Sequence, residues 1–139
     1  MELSGTTRLI CGIILITVPT IEYGGTFLLG MVKRSDPEYV NNPLRQNLFR
    51  AGHAHAGVLV ILSLVVQLLA DALNVPEGLS LVARLGAPCA AILMPLGFFL
   101  SVAQSGAQRP NGMISLVYVG ALLLAISVVV MGVLLVRSV

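Results

Sequence analysis

Four long apolar segments, separated by short polar stretches, dominate the pattern of this chain. We predict helices at about residues 9–32, 43–73, 79–103 and 113–136. A hydrocarbon core of roughly 30 Å needs about 20 apolar residues per helix, and each segment reaches that length. The pattern therefore predicts an all-α fold, a polytopic membrane bundle of four transmembrane helices that run up, down, up and down.

The composition agrees with a membrane protein. Of 139 residues, 57% are hydrophobic and 10% are charged, and the mean hydropathy is +0.97. These values lie well outside the range of soluble proteins. We therefore expect a single transmembrane domain over residues 1–139, in contact with the lipid bilayer. A net charge of +2 without a basic run predicts no nucleic-acid partner.

The basic residues are divided unequally between the two predicted membrane faces. If the helices alternate in direction, five basic residues lie on one face and three on the other: Lys33, Arg34, Arg45, Arg50 and Arg109 against Arg8, Arg84 and Arg137. Short cytoplasmic loops carry an excess of Lys and Arg. The charge pattern therefore predicts cytoplasmic first and third loops, with both termini outside.

The only two histidines lie together at residues 52–57, Gly-His-Ala-His-Ala-Gly, just inside the second apolar segment. Ahead of them, Asn42 can cap a helix whose first position is Pro43, which predicts that the second helix begins there. Histidines are costly at membrane depth. Two at one place therefore indicate a bound ligand or a reaction.

Helix geometry limits what the two histidines can do together. Positions two apart differ by about 200° around an α-helix, so His53 and His55 are predicted to point to nearly opposite faces. They cannot chelate one metal from a regular helix, which argues against a closed zinc site. One imidazole is enough for haem, because the porphyrin supplies four nitrogen ligands of its own.

The residues around the histidines are compatible with such a cofactor. Gly52 and Gly57 leave room for a flat macrocycle, and Leu59 is placed to contact its apolar faces. Arg50 is placed to pair with one propionate, and Arg45 or Arg109 with the other. The alternative is that the small residues only allow close helix packing, which is common in membranes. Small residues beside histidines favour the haem interpretation.

Polar side chains gather in the half of the membrane that holds the histidines. Glu22, His55 and Tyr118 are predicted at similar depth, with Tyr23 beside Glu22. Polar groups in a membrane bundle turn inward to pair or to line a cavity, so we expect these groups to converge. The alternatives are that Glu22 serves as structural glue and that Tyr118 belongs to an interfacial aromatic belt.

Short motifs of the chain resemble a family of small bacterial membrane enzymes, the styrene oxide isomerases. Arg50-Ala51 and His55-Ala56-Gly57 resemble the family's Arg-Ala-His-Ser-Gly type motif, split by an inserted Gly52-His53-Ala54. Residues 83–86, Ala-Arg-Leu-Gly, are similar to the start of the family's third helix, and Gly97-Phe98-Phe99 to its end. The resemblance covers roughly residues 50–99.

The resemblance implies haem b held by one axial histidine, best matched by His55 with His53 as the alternative. It further implies a homo-oligomer, a trimer, in the bacterial cytoplasmic membrane. In the family, ferric iron acts as a Lewis acid that rearranges a small apolar epoxide to an aldehyde. The family's polar asparagine and tyrosine near the substrate are replaced here by Ile61 and Phe99.

That replacement leaves the catalytic groups open. Glu22, Tyr23 and Tyr118 are the candidates to take their place, on depth alone. Two other functions compete with an epoxide isomerase: a membrane cytochrome or haem sensor without isomerase activity, and a scaffold subunit without haem, in which residues 52–57 are only a helix contact.

Overall fold

The computed structural model describes residues 2–73 and 77–138. Within them lie four long helices, α1 (Gly5–Lys33), α3 (Pro43–Asp71), α4 (Glu77–Ser101) and α5 (Ser115–Arg137), together with the single turn α2 (Pro37–Val40) and a 3₁₀ turn (Gly112–Ile114) ahead of α5. No strand occurs in these two ranges. All four long helices are long and apolar enough to cross a membrane. The predicted all-α, multi-pass membrane fold is confirmed.

Local capping accounts for where two of the helices begin. The Ser4 hydroxyl accepts a hydrogen bond from the Thr7 amide at 3.1 Å, so α1 begins four residues earlier than the apolar pattern predicted. The Asn42 side chain accepts from the Arg45 amide at 3.0 Å, with Pro43 at the first helical position. The predicted start of the second helix is confirmed.

The long helices pack in chain order. α1 packs against α3, α3 against α4, and α4 against α5, whereas α1 and α4 make little contact among the described residues. Helix α3 therefore has two occupied sides, one facing α1 and one facing α4. A gap remains between α1 and α4.

Helices α4 and α5 approach each other closely. A Cβ atom built on Gly86 would lie 2.3 Å from Cβ of Ser127, and one on Gly97 would lie 2.7 Å from a methyl group of Val117. The Ser127 hydroxyl donates to the carbonyl of Ala83 at 2.7 Å. Glycines that let two backbones approach are a common means of association between membrane helices. Here they join α4 and α5 into one unit.

A buried ion pair ties three helices together at the membrane face where α1 begins. Arg84 Nη2 donates to Asp71 at 2.6 Å, and the two side chains are 8% and 4% exposed. Arg84 also donates to the Thr7 hydroxyl at 2.6 Å, and Asp71 accepts from Ser4 at 2.8 Å. This network, which we call the Arg84 network, anchors the first turn of α1 to α3 and α4.

One proline contributes to the same region. Pro88 has no backbone N–H, so the carbonyl of Arg84, four residues earlier, is free of its usual helical partner. The Gln67 side chain donates to that carbonyl at 2.8 Å. The proline within α4 therefore creates a hydrogen-bond acceptor that joins α4 to α3.

At the opposite membrane face, Arg45 closes the end of α4. Its guanidinium donates to the carbonyls of Val102 and Gln104, just beyond the last turn of α4, and it pairs with Glu38 at 3.1 Å. The Glu38 carboxylate accepts further hydrogen bonds from the Ser105 hydroxyl and the Gly106 amide. These bonds, foremost those from Gly106 and Ser105, lower the pKa of the Glu38 carboxyl group. We call this set of contacts the Glu38 clasp.

Candidate functional site

The two histidines lie on different sides of α3, as the helix geometry predicted. The His53 ring rests against Gly24 and Gly25 of α1. The His55 ring rests against Phe98 of α4, with ring centroids 5.0 Å apart and an angle of 44° between the planes. Each imidazole therefore belongs to a different helix interface and to a different local environment.

His55 has a defined hydrogen bond on one ring nitrogen. Its Nδ1 lies 2.7 Å from the carbonyl oxygen of Ala51, one turn earlier in α3. A carbonyl can only accept, so Nδ1 carries a proton, and in the neutral ring Nε2 is then the nitrogen with the lone pair. Metal-binding histidines commonly hold their second nitrogen in this way. The half-buried His55 is thus prepared to act as a ligand through Nε2.

His53 has no such partner. Its ring makes no hydrogen bond to any residue that the structure describes. It is instead enclosed by shape: a Cβ on Gly25 would lie 3.1 Å from Cε1 and Nε2 of the ring, and one on Gly24 would lie 3.6 Å from Nδ1. The glycine pair lets α1 approach the edge of the ring that carries Nδ1, Cε1 and Nε2. Neither ring nitrogen is hydrogen-bonded to a described residue.

The gap between α1 and α4 forms an apolar cleft of about 480 Å³, with α3 as its floor. Isoleucine, leucine and proline side chains provide most of its walls, and His53 lies among the lining residues whereas His55 does not. Prediction from the chain alone missed this cleft. The available signal was the Gly24-Gly25 pair, which falls at the depth of His53 when α1 and α3 run antiparallel.

The three residues proposed as catalytic face outward in the structure. Tyr23 and Tyr118 are 72% and 71% exposed, and Glu22 is exposed too. None of them forms a side-chain hydrogen bond with the described residues. Their predicted inward convergence with His55 is therefore wrong, because depth along a helix determines the level of a side chain but not its direction. Their catalytic role stays a prediction.

The predicted cofactor-binding residues divide into two groups. Gly52, Leu59 and Arg45 are already used in packing. A Cβ on Gly52 would lie 3.0 to 3.2 Å from atoms of Phe98 and Phe99, so this glycine serves the α3–α4 contact rather than an open surface. Leu59 is buried in the core between these helices, and the Arg45 guanidinium is committed to the end of α4 and to Glu38.

The predicted cofactor-binding residues of the second group are not used in packing. A Cβ on Gly57 would meet nothing within 4 Å, and Arg50 is exposed. Ile61, at the position of the family's asparagine, is 65% exposed. Phe99, at the position of the family's tyrosine, lines the cleft and packs on Phe49 at a centroid distance of 5.1 Å. Of the predicted cofactor-binding residues other than the histidines, Gly57 and Arg50 are thus the ones with open surroundings.

Comparisons with protein-family models, curated proteins and solved structures found no match to this chain. The described residues also contain no group of three or more His, Cys, Asp or Glu side chains that could hold a metal ion. The assignment of a function consequently depends on the two imidazoles and their surroundings.

Proposed function

We propose that this chain is a haem b-binding membrane protein in which His55 supplies the axial ligand. The observation that carries the proposal is the 2.7 Å hydrogen bond from His55 Nδ1 to the Ala51 carbonyl. It selects the tautomer in which Nε2 of the neutral ring carries the lone pair, and it increases the strength of that nitrogen as a ligand.

The available donors suit haem better than a bare metal ion. A metal held by side chains alone needs three or more ligands from the protein, and the described residues provide no such group. Haem needs a single imidazole. Arg50 is an exposed cation toward the membrane face, available to a propionate, whereas the open Gly57, two residues from His55, lies on nearly the opposite side of α3.

The chemistry that we propose follows the resemblance to styrene oxide isomerases. Bound ferric haem would supply a Lewis acid for the rearrangement of a small apolar epoxide to an aldehyde. The chain's own contribution is to hold the imidazole through Ala51 and to keep the surroundings apolar with Phe98. Glu22, Tyr23 and Tyr118 remain the proposed groups that contact the substrate.

An oligomer would explain the direction of those three residues. A carboxylate that faces lipid at membrane depth is costly, and Glu22 is exposed in the single chain. Packing against a second copy would cover it and could complete the site. We therefore propose a homo-oligomer, a trimer by the resemblance, in the bacterial cytoplasmic membrane with both termini outside.

Absorption spectroscopy of the purified protein tests the proposal. Protein expressed with added haem precursor should show a Soret band, which His55→Ala abolishes and the matched variant His53→Ala retains. Absence of the band from the unsubstituted protein would reject haem binding. Loss of the band in His53→Ala with retention in His55→Ala would assign the axial ligand to the other histidine.

A haem protein without isomerase activity is the second candidate. The observation in its favour is that Ile61 and Phe99 stand where the family places polar residues near the substrate, so the known polarising groups are missing. Incubation with styrene oxide separates the two candidates. Formation of phenylacetaldehyde supports the isomerase, whereas reversible reduction without aldehyde formation supports a cytochrome or sensor.

A further inference from the structure

The cleft between α1, α3 and α4 has the size and position of a small-molecule site. Its volume of about 480 Å³ falls within the roughly 300 to 1,000 Å³ typical of such sites. Its rim residues Ile13, Ile92 and Leu96 are 55%, 61% and 43% exposed. Because these residues lie within the spans, the cleft opens sideways into the hydrocarbon core, where apolar molecules are concentrated.

The hydroxyl groups in the cleft wall are occupied by their own helices. Thr17 donates to the carbonyl of Ile14 at 2.6 Å, Thr20 to that of Thr17 at 2.7 Å, and Ser63 to that of Leu59 at 2.6 Å. Each hydroxyl has therefore used its one hydrogen. The remaining side chain in the wall that can donate a hydrogen bond is His53.

His53 is held at one end of this apolar space. Gly25 lies about eight residues from the end of α1, which corresponds to roughly 12 Å by helix rise, so the imidazole lies well inside the span. A neutral imidazole offers one donor and one acceptor. A hydroxyl group can use either nitrogen, whereas the ester groups of a phospholipid stay at the interface and leave this hydrogen bond unmade.

We propose that the cleft binds a compact apolar molecule that carries one hydroxyl group, a phenol or an alcohol, oriented by a hydrogen bond to His53. The ligand enters from the bilayer between α1 and α4. This site lies on the opposite side of α3 from His55. Occupancy of the cleft therefore needs no haem, and the two proposals fail independently.

Photolabelling of the full chain in lipid nanodiscs tests the proposal. The probe is a phenyl trifluoromethyl diazirine with a hydroxyl group on the ring, and labelled peptides are identified by mass spectrometry. We expect saturable labelling of α1 and α4 near Ile13 and Ile92. Unlabelled 4-tert-butylphenol should compete roughly five-fold better than tert-butylbenzene, the order expected for one hydrogen bond.

Two substitutions distinguish the effect of the hydrogen bond to His53 from the effect of the volume of the cleft. His53→Phe keeps a ring of similar size and removes both nitrogens, so it should abolish the preference for the phenol while labelling persists. Ala91→Leu fills the cleft and should suppress labelling altogether. The same substitution at Ala125, which is exposed on α5, is the matched control and should leave labelling unchanged.

Two results would overturn the proposal. Labelling that does not saturate and spreads over outward residues such as Val129 would show that the cleft holds lipid chains. Equal competition by the phenol and the hydrocarbon in the unsubstituted protein would show that His53 orients nothing. Because the readout is labelling, it is obtained whether or not the protein shows a Soret band.

Discussion

The two sides of α3 differ in how closely they pack. Toward α4, Gly52 lies against Phe98 and Phe99, and His55 is fixed by a hydrogen bond to its own helix. Toward α1, His53 has no hydrogen-bond partner among the described residues and borders an apolar cleft. Two histidines separated by one residue therefore lie in different surroundings: one is fixed by a hydrogen bond to its own helix, and the other borders space for a small molecule.

The loose side is stable because α1 is anchored at its ends. The Arg84 network holds the first turn of α1, and α2 packs on both α1 and α3 near the last turn. Between the ends, Gly24 and Gly25 of α1 approach His53 of α3, and Leu28 and Met31 pack in a buried core with Phe49 of α3. The cleft thus lies between a polar network at one membrane face and an apolar core toward the other.

Removal of an anchor should have the largest effect. Arg84→Met leaves Asp71 buried without its cation, and breaking one partner of a buried pair costs about 3–5 kcal/mol. We expect a correspondingly large fall in the free energy of unfolding in detergent, together with loss of the cleft, because α1 loses its attachment. Arg137→Met, at an exposed position on the same face, is the control. Equal stability of the two variants would show that the network does not anchor α1.

Disturbance of the tight side should have the next largest effect. A Cβ on Gly86 would lie 2.3 Å from Ser127 Cβ and 2.5 Å from the Leu123 carbonyl, so Gly86→Ala must separate α4 from α5. Overpacking of this kind costs about 1–3 kcal/mol. The expected result is a lower thermal unfolding midpoint.

Gly12→Ala is the matched control for that prediction. A Cβ on Gly12 meets nothing within 4 Å, and alanine is the better helix former. Its unfolding midpoint should stay the same or rise slightly. If Gly86→Ala were equally harmless, the distinction between a tight and a loose side of the molecule would be lost.

A smaller change should act on His53 alone. Gly25→Ala brings a Cβ to 3.1 Å from Cε1 and Nε2 of the ring, whereas Gly24→Ala brings one to an ordinary 3.6 Å from Nδ1. We expect Gly25→Ala to shift the imidazole and to reduce the preference for the phenol in the photolabelling experiment by roughly two-fold, less than loss of the full hydrogen bond. Gly24→Ala should retain that preference. If Gly24→Ala reduced the preference for the phenol and Gly25→Ala did not, the His53 ring would lie closer to Gly24 than to Gly25.

Much of the fold follows from the chain alone. Hydropathy located the four spans, Asn42 and Pro43 located the start of α3, and helix periodicity placed the two histidines on different sides. These features depend on local sequence and on the thickness of a bilayer. They require no knowledge of which helices are neighbours.

The site was less predictable because it depends on helix rotation and lateral packing. Depth placed Glu22 and Tyr118 level with His55, yet both side chains face outward. Arg45 or Arg109 was expected at a propionate, but Arg45 binds carbonyls beyond the end of α4, which no sequence pattern reveals. The cleft arises where α1 fails to meet α4, which depends on how α1, α3 and α4 pack together.

The smallest expected effect concerns the Glu38 clasp, which lies outside the spans and away from both histidines. Glu38 accepts hydrogen bonds from Gly106 and Ser105 and pairs with Arg45, and these contacts lower the pKa of its carboxyl group. A lowered folded-state pKa means that the stabilising contribution is present above the unfolded pKa and is lost as the pH falls through the folded value.

Acidification below about pH 4, the ordinary range of a glutamate, should therefore loosen the loop between α4 and α5 before it affects the spans. Hydrogen exchange at the Gly106 amide measures this, and its protection should fall at acid pH. In Glu38→Gln the protection should be lower at neutral pH and nearly independent of pH. Because Glu38 is exposed and its ion pair is screened by solvent, the unfolding midpoint of the bundle should hardly change. A large loss of bundle stability on acidification would instead place the sensitive carboxylate in the Arg84 network, on the opposite membrane face.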